Sequence, residues 1–418
     1  MADQFTSFDD LVAGAEAASF DRPPALVANA HITGLGVARA LAARDVPVVA
    51  LDRVGDGVAP FSTAVDLAGR VTYPLDDAAG FRADVERLAA ALDHEPVAFG
   101  CMDEWVHALA ATQPDGVRLP FAADRIDAVL DKTSLYETAD RLGVPYPETY
   151  RVAETVGTTA EGTPPAVSAE AAADALGFPL VIKPARKRAF EEAVGTNVVE
   201  VEDGSELARL VQTARREDVR VMAQERVSIR GGADRSYGSY VGPDGETIGV
   251  VGTPTRYPAT YGTSCLVERV EAPAVADRAR EVLEATGYHG ISEAEFVYDD
   301  DRDEYVLLDV NTRPWKWIGL PVAAGVDLPY AAYADAVGGS YEPAPATDAT
   351  WVYLRDYLAR LAGGAPDRLT EAQWTALVAG DVDDDPTLTT GVYSPADPGP
   401  GYRLLRTEFG ETDYYCAC

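Results

Sequence analysis

Residues 293–317 read EAEFVYDDDRDEYVLLDVNTRPWKW. Two apolar, β-branched runs, ISEAEFVYD and EYVLLDVN, flank the acidic turn DDDRD, the pattern of two adjacent strands. Both strands carry hard oxygen ligands: Glu295 on the first, Asp309 and Asn311 on the second. Residues two apart on a strand project to one face, so Asp309 and Asn311 point together, and Glu295 can face them across the ladder. Carboxylates with an amide oxygen, and no His or Cys, suit Mg²⁺ and the phosphates it carries. An alternating strand with its polar side in water would look similar. Against that, Asp309 interrupts an apolar strand where an unpaired acid is costly, and Arg313 and Trp315 add a phosphate-type partner and an aromatic wall.

Working outward, lysine is nearly absent. Only Lys132, Lys183, Lys187 and Lys316 occur, and every other basic residue is arginine. Composition bias would produce this by itself. Lysine is nevertheless a compact point charge where arginine is a broad fork, and reaching between phosphate oxygens is a task for the former.

The first third alternates strands and helices. PALVANA and VPVVALD are strand candidates around the helix GLGVARALAARD; DAAGFRADVERLAAALD is a second helix, and PVAFGCMDE is a strand leading into a loop. That alternation predicts a parallel α/β sheet. Gly34 and Gly36 at a strand-to-helix turn, with Asp52 closing the next strand, give part of a dinucleotide fingerprint, but Arg39 stands at the third glycine position. The segment 153–168 is a small, polar surface loop. AEAAADALG is then a helix, and FPLVIKPA a strand that delivers Lys183 near its end. A β-rich half follows, with a hairpin around Pro243-Asp244-Gly245 and the amphipathic helix DRAREVLEATG. After residue 340 one helix is predicted, WVYLRDYLARLA, followed by loops.

Taken in order, DKTSLYETADRLGVPYPET, FPLVIKP, QERV and the EAEF and LLDVNTRP strands resemble the ATP-grasp superfamily, most closely its carboxylate–amine ligase branch. The resemblance spans roughly Pro24 to Gly338. It implies an α/β fold with a preATP-grasp, Rossmann-like domain over residues 1–125 and an ATP-grasp domain over 126–340. The latter consists of two α+β subdomains clamping ATP, the lid lying at about 150–225, and residues 341–418 form a C-terminal helical and loop extension.

Position by position, the resemblance implies that Lys132 and Lys183 hold the ATP phosphates. It implies that Gln224, Glu225 and Val227 belong to the strand whose backbone reads adenine, and that Asp234 binds ribose. Glu295, Asp309 and Asn311 match ligands for two Mg²⁺ ions, with Mn²⁺ as an alternative metal. Arg313 matches an arginine that steadies phosphate or the acyl intermediate, and Arg256 one that faces the reacting carboxylate. Two departures stand out. Asp309 is one methylene shorter than the usual Glu, and the normally glycine-rich lid loop reads ARKRAFEEAVGTN, with Arg186, Lys187 and Arg188. Trp315 and Trp317 are either part of a substrate pocket with Arg256 or core packing.

The implied reaction joins a small-molecule carboxylate to an amine through an acyl phosphate, releasing ADP and phosphate. The alternatives are a small-molecule kinase on the same frame and a Rossmann-type nucleotide-binding or redox protein. A net charge of −33 argues against nucleic acid and anionic membranes as partners. That charge would also repel itself in dilute buffer, whereas the Debye length shrinks to about 3 Å at 1 M salt, so the expected setting is the cytoplasm of a halophile. No apolar run reaches the roughly 18 residues of a membrane span, and the acidic N-terminus does not read as a signal peptide. The four cysteines, Cys101, Cys265, Cys416 and Cys418, are too few for a disulfide framework. A homodimer is the expectation from base rates alone.

Overall fold

The computed structural model describes residues 5–130, 132–153, 166–184, 190–191, 194–196, 198–259 and 261–408. The basic trio Arg186–Arg188 and the Cys416/Cys418 pair lie outside the described residues. The chain divides into two compact units. The first holds Met1–Ile126, Arg235–Glu293 and Asn311–Cys418; the second holds Asp127–Asp234 and Ala294–Val310.

The first unit begins with helix α1 (Phe8–Ala17), whose N-terminus is capped by the Ser7 hydroxyl accepting the Asp10 N–H. Strands β1 (Ala25–Ala28), β2 (Val48–Asp52), β3 (Leu67–Arg70) and β4 (Val97–Gly100) then form an all-parallel sheet in the order β3-β2-β1-β4. Helix α2 (Ile32–Ala42) links β1 to β2, α3 (Ala78–Ala91) links β3 to β4, and α4 (Asp103–Thr112) leaves β4. Strands β1, β2 and β4 are buried at every position, as parallel strands covered on both faces require. The α/β alternation expected of the first third is present, except that PVAFGCMDE runs straight into α4 and not into a loop.

Gly34 and Gly36 lie inside α2, and both are close-packing positions. A Cβ on Gly34 would stand 2.2 Å from the Asn29 carbonyl oxygen, and one on Gly36 would stand 2.6 Å from the Ile318 side chain.

In the second unit, α5 (Lys132–Leu142) leads to β5 (Thr149–Arg151). Helix α6 (Ala169–Leu176), strands β6 (Leu180–Pro184) and β7 (Val199–Val201), helix α7 (Gly204–Arg216) and β8 (Val221–Glu225) follow. The strands make an antiparallel sheet, β5-β8-β6-β7. Leu207, Leu210, Val211 and Ala214 recur at helical spacing on α7 and pack with Leu180, Ile182, Val221 and Ala223 of that sheet.

Strands β9 (Arg235–Val241), β10 (Thr247–Tyr257) and β11 (Thr263–Val270) come next, then helix α8 (Pro273–Thr286) and strands β12 (Gly290–Asp299) and β13 (Glu304–Asn311). The hairpin between β9 and β10 turns on Gly245, whose φ of 83° is one that glycine adopts without cost. Helix α9 (Leu328–Ala336), strand β14 (Thr350–Val352), helices α10 (Leu354–Ala362) and α11 (Glu371–Ala379), strand β15 (Leu388–Thr390) and helix α12 (Pro398–Glu408) complete the described chain. The larger sheet has the order β13-β12-β9-β10-β11-β14-β15.

Two expectations about the tail are corrected. The WVY opening of the supposed tail helix is strand, with Trp351 buried and Val352 paired to Leu266 of β11; an aromatic, β-branched run fits a pleated, buried surface. The region after residue 340 also holds α11 and α12, which were expected to be loops. Trp315 and Trp317, each 2% exposed, pack edge to face with centroids 5.0 Å apart inside the first unit's core, with Ile318, Trp351 and Val267. Both are core residues of the first unit. Among the described residues, no helix is long and apolar enough to cross a membrane.

Candidate functional site

In the second unit, Lys132 is the first residue of α5 and its side chain is 7% exposed. Its ammonium forms an ion pair with the Asp309 carboxylate on β13, which also accepts the Val310 N–H at 2.9 Å. Four residues along α5, on the same helix face, the Tyr136 hydroxyl donates to the Leu308 carbonyl at 2.9 Å. The same hydroxyl accepts from the Gln224 side-chain amide at 3.0 Å, and Gln224 donates to the Thr149 hydroxyl at 2.8 Å. Tyr136 also stacks on Tyr146, with centroids 4.7 Å apart and planes 8° from parallel. Burial, reinforced by the charge of Asp309, raises the Tyr136 pKa, so the hydroxyl keeps its proton and remains a donor.

Lys183, on β6, is the half-buried residue of a strand whose other positions are buried. Glu225 ends β8: its N–H donates to the Glu148 carbonyl at 2.9 Å, and its carboxylate accepts the Glu148 N–H at 2.8 Å. Arg302 bridges that carboxylate to the buried Asp299. Val227 packs against Val297 and Val306, backing the strand pair that carries Glu295 and Asp309. Glu295 and Asp234 are both half-buried.

In the first unit, Asn311 closes β13 and its amide donates to the Glu293 carboxylate at 3.2 Å. The Arg313 guanidinium pairs with Asp103 at the start of α4 and donates to the Pro314 carbonyl at 3.0 Å. Burial disfavours its charge, yet Asp103, Glu293 and Glu104 hold the Arg313 pKa above its ordinary value. Arg256 lies near the end of β10, where the register with β11 slips between Thr255 and Arg256, and it reaches the Gly262 carbonyl at 3.5 Å. Such a bulge re-aims the side chain that follows it. Lys316 pairs with Asp356 at 2.7 Å and with Thr263 at 3.0 Å, its ammonium lying 4.5 Å from the centre of the Tyr353 ring. Burial pulls its pKa below the usual lysine range against the opposing pull of Asp356. Asp52, the acid of the partial dinucleotide fingerprint, accepts the Ala30 and Arg53 N–H groups at 2.8 and 2.7 Å, with His31 3.5 Å away.

Solved structures share this architecture. N5-carboxyaminoimidazole synthetase of Staphylococcus aureus, in complex with ADP, matches with a TM-score of 0.60 at 15% identity, over 80% of this chain and 82% of that one. Biotin carboxylase of Campylobacter jejuni, in an ATP complex, matches with a TM-score of 0.59 at 14% identity, over 78% of this chain and 74% of that one. The biotin carboxylase domain of the Hydrogenobacter thermophilus 2-oxoglutarate carboxylase, solved as a dimer with MgADP, ADP and bicarbonate, matches with a TM-score of 0.59 at 13% identity, over 77% and 71%. The chain has the ATP-grasp fold. At these identities the likeness is one of fold alone. No protein-family model and no curated protein matches the sequence.

Within the ATP-grasp fold, the expected ligand positions fall in two groups. Lys132, Asp309 and Glu295 belong to the second unit, whereas Asn311 and Arg313 belong to the first. Lys132 and Asp309 are brought into contact, but Asn311 is joined to Glu293, which is not among the expected ligands. Its signal was present: Glu293 and Glu295 are two apart on one strand and so share a face. Tyr136, Asp103 and Arg302 were also missed, because each acts by pairing with a residue far away in sequence. The donors Glu293, Glu295, Asp309 and Asn311 are all oxygen, which fits Mg²⁺ chemically. Among the described residues, no group of three or more His, Cys, Asp or Glu side chains is gathered as a metal cage.

Proposed function

We propose that this ATP-grasp chain is an ATP-dependent carboxylate–amine ligase working through an acyl phosphate. The observation that carries this reading is the Lys132–Asp309 ion pair, a largely buried cation and acid on α5 and β13. These are the two positions that the family resemblance assigns to the phosphates of ATP and to its metal. The fold, shared with enzymes solved with ADP or ATP, supports the same reading.

In the proposed reaction, an oxygen of the substrate carboxylate attacks the γ-phosphorus of ATP, and the bond from that phosphorus to the ADP oxygen breaks. An amine then adds to the acyl carbon, loses a proton and expels phosphate, leaving an amide. No side chain bonds covalently to substrate, so catalysis rests on positioning and charge neutralisation. Lys132 and Lys183 hold the phosphates, the backbone at Gln224, Glu225 and Val227 reads the adenine edge, and Asp234 takes the ribose. Arg256 orients the carboxylate, and Arg313 steadies the transferring phosphoryl group or acyl phosphate. Glu295, Asp309 and Asn311 are the residues to hold Mg²⁺, or Mn²⁺ in its place, which when bound offsets charge on the triphosphate. The region 1–125 contributes to substrate binding, and the acidic surface suits a salt-rich cytoplasm. Asp52 is turned to the chain's own backbone, and Gly34 and Gly36 serve packing, so neither favours a redox cofactor.

Hydroxylamine trapping tests the proposal. The protein in molar KCl receives Mg·ATP, excess hydroxylamine and pools of amino acids, short peptides and other carboxylates, with bicarbonate assayed separately by ADP release. Hydroxamate formed with one pool, and lost in Lys183→Ala, is the expected result. ADP release on a hydroxyl substrate without hydroxamate would make the chain a kinase, and folded protein that fails to bind ATP would end the nucleotide reading.

A further inference from the structure

We propose that Lys132 is a resident counter-ion of Asp309 that admits a divalent metal only together with a triphosphate. This rests on the nucleotide reading above and adds an order of binding to it. The Lys132 and Asp309 side chains are 7% and 16% exposed, so each charge is poorly hydrated and needs a partner in whatever state the chain adopts. The pairing is also held from behind. Tyr136 ties α5 to the Leu308 carbonyl at 2.9 Å, and the Val310 N–H donates at 2.9 Å to the same Asp309 oxygen that Lys132 takes.

A divalent ion approaching Asp309 alone therefore meets an ammonium group already on the carboxylate. It must either sit beside that charge or displace Lys132 from its paired carboxylate into a poorly hydrated position. A triphosphate removes the conflict by offering its own oxygens to Lys132 and so releasing Asp309 to the metal. Metal and nucleotide are then positively coupled, and by linkage each tightens the other by the same factor. The residue type fits this exchange. A compact ammonium on a flexible stem can move from carboxylate to phosphate, whereas an arginine fork would hold the carboxylate in a two-pronged grip.

The test is Mn²⁺ binding followed by electron paramagnetic resonance on the full chain in molar KCl. It is run with and without the non-hydrolysable analogue in which an imido group joins the β- and γ-phosphates. The wild type should bind Mn²⁺ alone at least tenfold more weakly than it binds the Mn²⁺·analogue complex. Lys132→Met should bind Mn²⁺ alone at least tenfold more tightly than the wild type, and adding Asp309→Asn should abolish that gain. Equal Mn²⁺ affinity in the wild type and Lys132→Met overturns the counter-ion role while leaving the nucleotide reading in place. No uptake of the Mn²⁺·analogue by the folded wild type would instead remove the nucleotide reading, and this inference with it. Should Lys132→Met fail to fold, the wild type decides alone: equal affinity with and without the analogue overturns the proposal.

Discussion

The Tyr136 hydroxyl donates to the carbonyl oxygen of Leu308 at 2.9 Å, fastening the helix that carries Lys132 to the strand that carries Asp309. Because the same hydroxyl accepts from Gln224, one buried oxygen links α5, β8 and β13. Tyr136→Phe keeps the ring stacked on Tyr146 but orphans the Leu308 carbonyl and one Gln224 donor. The expected loss is about 1–3 kcal/mol of unfolding free energy, the usual range for leaving a buried polar group unsatisfied, read from urea titration in molar KCl. Unchanged stability would mean that water replaces the hydroxyl.

Lys316 illustrates a different use of a rare lysine. Its ammonium is buried against Asp356, and Arg355 takes the other carboxylate oxygen at 2.9 Å. Lys316→Met leaves an acid without its principal partner and should cost about 3 kcal/mol, the lower end for breaking a buried pair, since Arg355 remains. Adding Asp356→Leu should recover much of that loss. If the double variant is no more stable than the single one, the pair is not what couples these two sites.

The two described cysteines should resist alkylation. Burial pushes the Cys101 thiol up to about 12, against the opposing charge of Arg313. It pushes the Cys265 thiol up to about 11, against Arg360 and Lys316. Because the thiolate is the nucleophile, iodoacetamide at pH 8 should leave both unmodified in native protein and modify both in denaturant, as read by mass spectrometry. As pH rises, Cys265 should react first, since its lower pKa exposes thiolate earlier. Fast native labelling of either would contradict the burial of these thiols.

Stability should depend steeply on salt. With a net charge of −33, self-repulsion is large in dilute buffer and screened in molar KCl. Circular dichroism should show loss of structure on dialysis into salt-free buffer and its recovery when KCl is restored. A cooperative melt at the same temperature with and without salt would refute the halophilic setting.

Much of the fold could be read locally. Strands β12 and β13 announce themselves by apolar runs around an acidic turn, and β1, β2 and β4 by short apolar runs alternating with helices. The misreadings have equally local causes. Helix α12 opens with Pro398-Gly399-Pro400-Gly401, which reads as a loop although proline suits a helix's first position. Helix α11 buries only Leu377, so it shows no apolar stripe. Trp351 reads as part of the helix that follows it, because nothing within a few residues reveals that β11 lies alongside.

Residue type and short-range spacing are properties of the chain itself, and they carry the acidic and amide side chains of β12 and β13, the scarcity of lysine and the net charge. Pairing belongs to the tertiary structure. Lys132 meets Asp309 across 177 positions and Arg313 meets Asp103 across 210, while Asn311 donates to Glu293 across 18. Periodicity is set by the geometry of one element and needs no knowledge of its neighbours. The partner of a buried charge depends on which elements the topology brings side by side, and in this chain those elements are separated by whole domains' worth of sequence.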